Sequence, residues 1–190
     1  MPSRNGTKVI TGVVRASYLH AFEPWSGAQG QEAKYGVCAL IPKSDKETLA
    51  LIMDAVNEAI DQGKSSKWDG KIPKNLHLPL RDGDEEKDLD ENPEYEGMMF
   101  LNASSKRQPG MVDRKKQEIF SADELKSGDY VKLSLNFFPY KAAGNSGVGV
   151  GLNNIMKWKD GEPLGGMVAK PESDFGDEFD DGEDDEDDLI

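Results

Sequence analysis

A mainly β fold, a small barrel of five strands with one principal α-helix, is what this 190-residue chain predicts. Three observations carry that expectation. Five segments are rich in β-branched and aromatic residues and several alternate at period two. Only one segment carries a long apolar stripe at helical spacing. The order strand-strand-helix-strand-strand-strand ends in a hairpin and lacks the strand–helix–strand alternation of a parallel sheet.

Taken in order, residues 9–18 read as the first strand. The loop 23–32 holds Pro24, glycines and Trp25, and residues 34–41 form the second strand, ended by Pro42. Ser44 and Glu47 make a capping box, and Leu49, Ile52, Val56 and Ile60 then fall on one helical stripe, with Gly63 placed for the C-cap. Residues 64–93 are irregular: Pro73, Pro79 and the acidic stretch 82–91 describe a long surface excursion. Residues 97–103 are the third strand. A basic loop follows, with Lys106-Arg107 and Arg114-Lys115-Lys116 flanking an expected turn at Pro109-Gly110. Ser121 and Glu124 make a second capping box that opens only a short turn before Gly128. Residues 130–140 are the clearest strand, and 148–156 return as its hairpin partner after a turn at 144–147. Residues 161–166 begin an exit segment.

Charge divides the chain in two. It holds 36 Asp and Glu against 23 Lys and Arg, a net charge of −13. The last twenty residues contain twelve of the acids, no base, and an apolar end at Leu189-Ile190. Residues 1–170 therefore carry 24 acids and 23 bases, a net charge of −1. The expected organisation is a folded domain over 1–170 and a disordered acidic tail over 171–190, because so acidic a run repels itself and buries almost nothing. Such a tail competes with any polyanion for a basic groove on its own body, unless it serves only as a solubility tail. Cys38 is the single cysteine, so no internal disulfide forms, and with two histidines no zinc site of the usual type can be completed. No metal or cofactor is expected. The polar N-terminus and the lack of an apolar run of about 18 residues point to a cytoplasmic protein without a membrane span.

Alternation along 130–140 sends Val131, Leu133, Leu135 and Phe137 to one face as core. Tyr130, Lys132, Ser134, Asn136, Phe138 and Tyr140 face the other way. Aromatic planes beside cations are how single-stranded nucleic acid is held without sequence choice; otherwise Phe138 and Tyr140 cover a second small core. Tyr18 and Phe22 fit the core, whereas Trp25, in its glycine-rich loop, is the better stacking residue. The basic loop either clamps phosphates or balances the acidic stretch. Enzyme signals fail. Gly63-Lys64-Ser65 lacks the phosphate-loop glycine five residues earlier and ends a helix instead of opening one. Asp82, Asp84, Glu86 and Asp88 lack the glycine of a calcium loop, and neither His20 nor His77 belongs to a legible triad.

Several linked motifs resemble one family. They are Lys34-Tyr35 leading to Ile41-Pro42-Lys43-Ser44, Pro79-Leu80-Arg81-Asp82-Gly83-Asp84, Leu101-Asn102-Ala103 with Lys106, Pro109 and Val112-Asp113, Asn136-Phe137-Phe138-Pro139-Tyr140, Gly151-Leu152-Asn153-Asn154-Ile155, and Asp160-Gly161-Glu162-Pro163-Leu164-Gly165-Gly166. Over roughly residues 8–168 they look like the phage-encoded single-stranded DNA-binding proteins. The resemblance implies an OB-fold, no enzymatic activity, and a role in phage replication or recombination. It also implies that the tail competes with DNA and recruits replication or recombination proteins. Many such tails end in an aromatic residue; here Phe179, Leu189 and Ile190 are the docking candidates. Bases are expected on Phe138, Tyr140, Trp25 and Trp158, and phosphates at Arg15, Lys132, Lys106, Arg107, Lys115 and Lys116. Arg81 either touches DNA or pairs with Asp82 or Asp84. The alternative readings are a protein-interaction adaptor whose tail mimics nucleic acid, and a metal-dependent nuclease using the acids at 82–90.

Overall fold

A computed structural model describes residues 1–26 and 32–164. Strands β1 (Ser3–Asn5) and β2 (Lys8–Ile10) form a hairpin around Gly6, and β2 then pairs with the much later β8 (Tyr130–Ala142), Val9 opposite Leu135. The expected first strand is thus broken. Thr11, fully buried, ends β2 by exchanging bonds with Leu133: its N–H donates to the Leu133 carbonyl at 2.9 Å, and its hydroxyl oxygen accepts from the Leu133 N–H at 3.0 Å. The chain resumes as β3 (Val14–Trp25), which runs seven residues beyond the expected end at Tyr18. Then come β4 (Lys34–Pro42), helix α1 (Lys46–Ser66), the short β5 (Arg81–Asp82), the single turn α2 (Gly83–Glu86), a 3-10 turn (Pro93–Tyr95), β6 (Met98–Ser105), β7 (Gly110–Val112), β8, and β9 (Asn145–Lys159).

Five strands close a ring: β3 pairs β4, β4 pairs β6, β6 pairs β9, β9 pairs β8, and β8 returns to β3. All of these pairings are antiparallel except β6–β9, which meet in parallel at Ser104 and Gly151. Strand alternation fills the interior. Val37, Ala39 and Ile41, Leu101 and Ala103, Val131, Leu133, Leu135 and Phe137, and Val148, Val150 and Leu152 all point inward and are buried. The inward face of β8 is the one its spacing predicts. Among the described residues no helix is long and apolar enough to cross a membrane.

Helix α1 seals this core with Ile52, Ala55, Val56 and Ala59, packing mainly on β8. Its cap lies one residue later than the Ser44–Glu47 box: the Asp45 carboxylate accepts from the Thr48 N–H at 3.1 Å. Gly63 is not the C-cap, since the helix continues to Ser66. It is instead a packing glycine: an added Cβ would lie 2.6 Å from Pro139 and 2.7 Å from the Trp68 ring. Trp68 is itself buried and donates its indole N–H to the Tyr140 carbonyl at 3.2 Å. Gly63→Ala is therefore expected to destabilise the fold by about 1–3 kcal/mol through overpacking, despite alanine's better helix propensity. Urea unfolding followed by circular dichroism checks this; an unchanged or raised midpoint would show that the helix end yields freely.

The expected Pro109-Gly110 turn is also corrected. Gly110, Met111 and Val112 form β7, parallel to Asn154, Ile155 and Met156 of β9, which leaves Lys106 and Arg107 in the connection from β6.

A second, smaller core lies outside the ring. Cys38 and Leu40 of β4 and Phe100 of β6 point outward and are covered by Tyr95 and Leu164. Lys43 holds this cover in place. Its ammonium reaches Asp82 at 2.8 Å and Asp84 at 2.7 Å, and Asp84 also accepts from the Gly97 N–H at 3.0 Å. The nearby ammonium is the main reason both carboxyls sit below the usual carboxylate range. A lysine thus takes the place where the nuclease reading would put a metal. No cluster of His, Cys, Asp and Glu suited to a metal occurs among the described residues.

Candidate nucleic-acid interface

The covering segment occupies only part of the outward face of β4 and β6. The rest is open and forms a groove of about 630 Å³. Its floor is Gly36 and Cys38 of β4 with Asn102 and Ser104 of β6, and its walls carry Tyr18, His20 and Trp25 of β3 with Lys34 and Tyr35. Period two explains the floor, since Gly36 and Ser104 are register partners, as are Cys38 and Asn102, and their inward neighbours are core. Gly36 has a packing reason to be glycine, because a Cβ there would lie 2.9 Å from the Ala103 carbonyl.

The wall comes from a break in the β3–β4 register between Ser17 and His20. There Tyr18 takes φ +47°, a left-handed conformation that costs a bulky residue energy. Tyr18 is consequently 46 % exposed at the groove, and not in the core as expected. Trp25 is 57 % exposed and closes β3 opposite Lys34. The His20 and Trp25 rings stack with centroids 5.1 Å apart and planes 9° from parallel. Desolvation lowers the imidazole pKa, which favours the uncharged ring as a stacking partner. On the floor, burial pushes the Cys38 thiol up, and its sulfur lies 3.7 Å from the Tyr95 hydroxyl.

Among the other expected residues that are described, Lys106 reaches the groove through Glu32 of its lining, and the aromatic candidates lie outside it. Lys106 sits where β6 ends and reaches Glu32 at 3.5 Å; Arg107 beside it is exposed. Phe138, on the outward face of β8, is 42 % exposed and lies across Gly149, where an added Cβ would come within 2.6 Å of its ring. Tyr140, half-buried, covers Gly147 in the same way. Trp158 belongs to a separate cluster, with the Arg114 guanidinium 3.9 Å and the Lys132 ammonium 4.5 Å from its ring centre. Arg15 is a strut: it donates to the Gly128 carbonyl at 3.1 Å and the Glu162 carbonyl at 2.7 Å, and lies 5.7 Å from the Tyr130 ring centre. Arg81 pairs with Glu86 at 2.8 Å and covers Phe100, so its ionic partner is neither Asp82 nor Asp84, both of which Lys43 holds. Lys115 and Lys116 are exposed on a tight turn that the Asp113 carboxylate caps. Phe179, Leu189 and Ile190 lie outside the described residues, as does the whole of 171–190.

Sequence reasoning missed Tyr18, His20, Lys34, Tyr35, Asn102 and Ser104 as groove residues. Alternation through 34–41 and 97–103 was available as a signal for Lys34, Asn102 and Ser104. Nothing in the local pattern announces the β3 register break that turns out Tyr18.

A closed ring with a groove over the outward face of its second and third strands, beside the connection between its first two, fits the layout with which OB-folds hold oligonucleotides and oligosaccharides. Similarity to known proteins narrows this class. The chain belongs to the family of the Enterobacter phage Enc34 single-stranded DNA-binding protein, whose family model matches residues 7–190. It is 32 % identical over 182 residues to "Putative protein p50" of Acyrthosiphon pisum secondary endosymbiont phage 1, covering 92 % of this chain and 93 % of that protein. Its fold is similar to the single-stranded DNA-binding protein of bacteriophage Enc34 solved in complex with single-stranded DNA. That match has a TM-score of 0.72 and 25 % identity, and covers 87 % of this chain and 98 % of the other. The single-stranded DNA-binding protein gp2.5 of bacteriophage T7 shares the fold at TM-score 0.60 and 16 % identity, over 86 % of this chain and 97 % of that one.

Proposed function

We propose that this protein binds single-stranded DNA with little sequence preference, without catalysis, and protects it during phage replication or recombination in the host cytoplasm. Membership of the Enc34 family supports the ligand class. The single observation that carries the site is the open groove on β4 and β6, walled by Tyr18, the His20–Trp25 stack and Tyr35, with Lys34 at its edge. Bases stack on these rings because every base offers a π-face, and Lys34, Lys106 and Arg107 take the phosphates. Lys132 and Trp158, clustered with Arg114, and Lys115 and Lys116 on the turn that follows Arg114 supply a second basic surface for longer strands. The tail, with twelve acids in twenty residues, competes with DNA for this surface and offers replication or recombination proteins a charged segment with apolar contacts at Phe179, Leu189 and Ile190.

Fluorescence anisotropy of labelled oligo-dT of about 30 nucleotides, long enough for more than one OB-fold footprint, against the matched duplex tests the function. Single-strand-selective binding is expected. Equal affinity for both, or none for either, would discard it.

A further inference from the structure

Groove and Phe138 are not isolated from each other. Gly36 on the groove floor is the register partner of Ser104, Ser104 pairs with Gly151 of β9, and Gly151 pairs with Asn136 of β8. All four side-chain positions point outward, so this row crosses three strand spacings, about 14 Å, over the outside of the ring. Phe138 stands two residues beyond Asn136 on the same face, its ring laid over Gly149 and 42 % of it exposed. Lys106 and Arg107 leave the sheet beside the row, directly after Ser104 and Ser105.

Gly151 lacks the usual reasons for a strand glycine. Its φ is not left-handed, and an added Cβ would make only ordinary contacts, 3.6 Å from the Asn136 carbonyl and 3.9 Å from the Phe138 ring. Its neighbours differ: Gly147 faces the His77 carbonyl at 2.3 Å from an added Cβ, and Gly149 carries the Phe138 ring. The β8–β9 register shifts nearby, between Ser134 and Leu135, but Gly151 keeps its own pairing with Asn136 and leaves room for something else to approach its backbone closely.

Resting on the single-strand reading above, we propose that the DNA path has two stacking stations. One is the groove at Trp25, the other the Phe138 ring. The strand passes between them over Gly151, with Lys106 and Arg107 holding its phosphates. Gly151 is then a positioning residue that sets how much DNA one protein occupies.

The test uses the full chain and oligo-dT of about 4 and about 12 nucleotides, the lower and upper parts of the range one OB-fold covers. The wild type gains about 5- to 150-fold in affinity from the shorter to the longer, the worth of one further stacked base. Gly151→Val and Phe138→Ala both lose this gain, lowering the affinity of the longer oligonucleotide more than that of the shorter. Gly151→Ala, the smaller change, loses part of it and serves if the valine variant does not fold. A gain retained in the Gly151 and Phe138 variants overturns the path, as does an equal loss at both lengths. No wild-type binding at either length overturns the single-strand reading and this path with it.

Discussion

Trp25→Ala is expected to weaken single-strand binding by about 5- to 150-fold while leaving the melting temperature unchanged. The magnitude is that of one base–aromatic stacking contact, roughly 1–3 kcal/mol. The indifference of stability follows from exposure: among the described residues Trp25 stacks on His20, and it ends β3 at the mouth of the groove. Removing it takes no group out of the inward core, so no cavity forms. Because His20 loses its stacking partner too, Trp25→Phe should restore much of the affinity, and Trp25→Leu much less. Titrations with oligo-dT beside thermal unfolding of the same preparations check both halves. A large loss of stability with little loss of affinity would make Trp25 a packing residue.

Deleting residues 171–190 is expected to tighten binding about tenfold at low salt, for a tail of about 0.1 mM intrinsic affinity held at about 1 mM effective concentration. Salt erodes both interactions. About four phosphate contacts give a slope near −2.8 in log affinity against log salt, so the truncated chain should lose about 50-fold between 50 and 200 mM. The full chain should lose less, because its competitor weakens over the same range, and the two curves should converge. Removing the tail takes the charge from −13 to −1, so a uniform shift with parallel slopes would instead indicate general repulsion. Equal affinity at low salt would leave the tail no part in DNA binding.

Legibility differed between fold and site for physical reasons. The inward face of β8 was legible because period two is dictated by the backbone, and Val131, Leu133, Leu135 and Phe137 obey it. The stripe of α1 was legible for the same kind of reason, though Asp45 and not Ser44 caps it. The outward surface was harder, because which outward residues meet depends on pairings distant in sequence. Tyr18 reads as core in sequence, and the register break against β4 turns it out. The groove floor at Ser104 and the β8 face that carries Phe138 lie far apart in sequence, and the pairings that link them run through the parallel contact of Ser104 with Gly151. Arg15 looked like a phosphate ligand in sequence, and Arg81 like either a DNA contact or a partner of Asp82 or Asp84, yet the first binds carbonyls and the second Glu86. No local pattern distinguishes a free cation from a paired one.

Photocrosslinking localises the bound strand most directly. Oligo-dT carrying 5-iodouracil would be bound to the full chain, irradiated, and the modified peptides identified by mass spectrometry. The account predicts crosslinks at Tyr18, Trp25 or Tyr35, with Phe138 joining when the oligonucleotide is long enough to cross Gly151. Crosslinks confined to Tyr130 and Trp158, with the groove peptides unmodified, would contradict it.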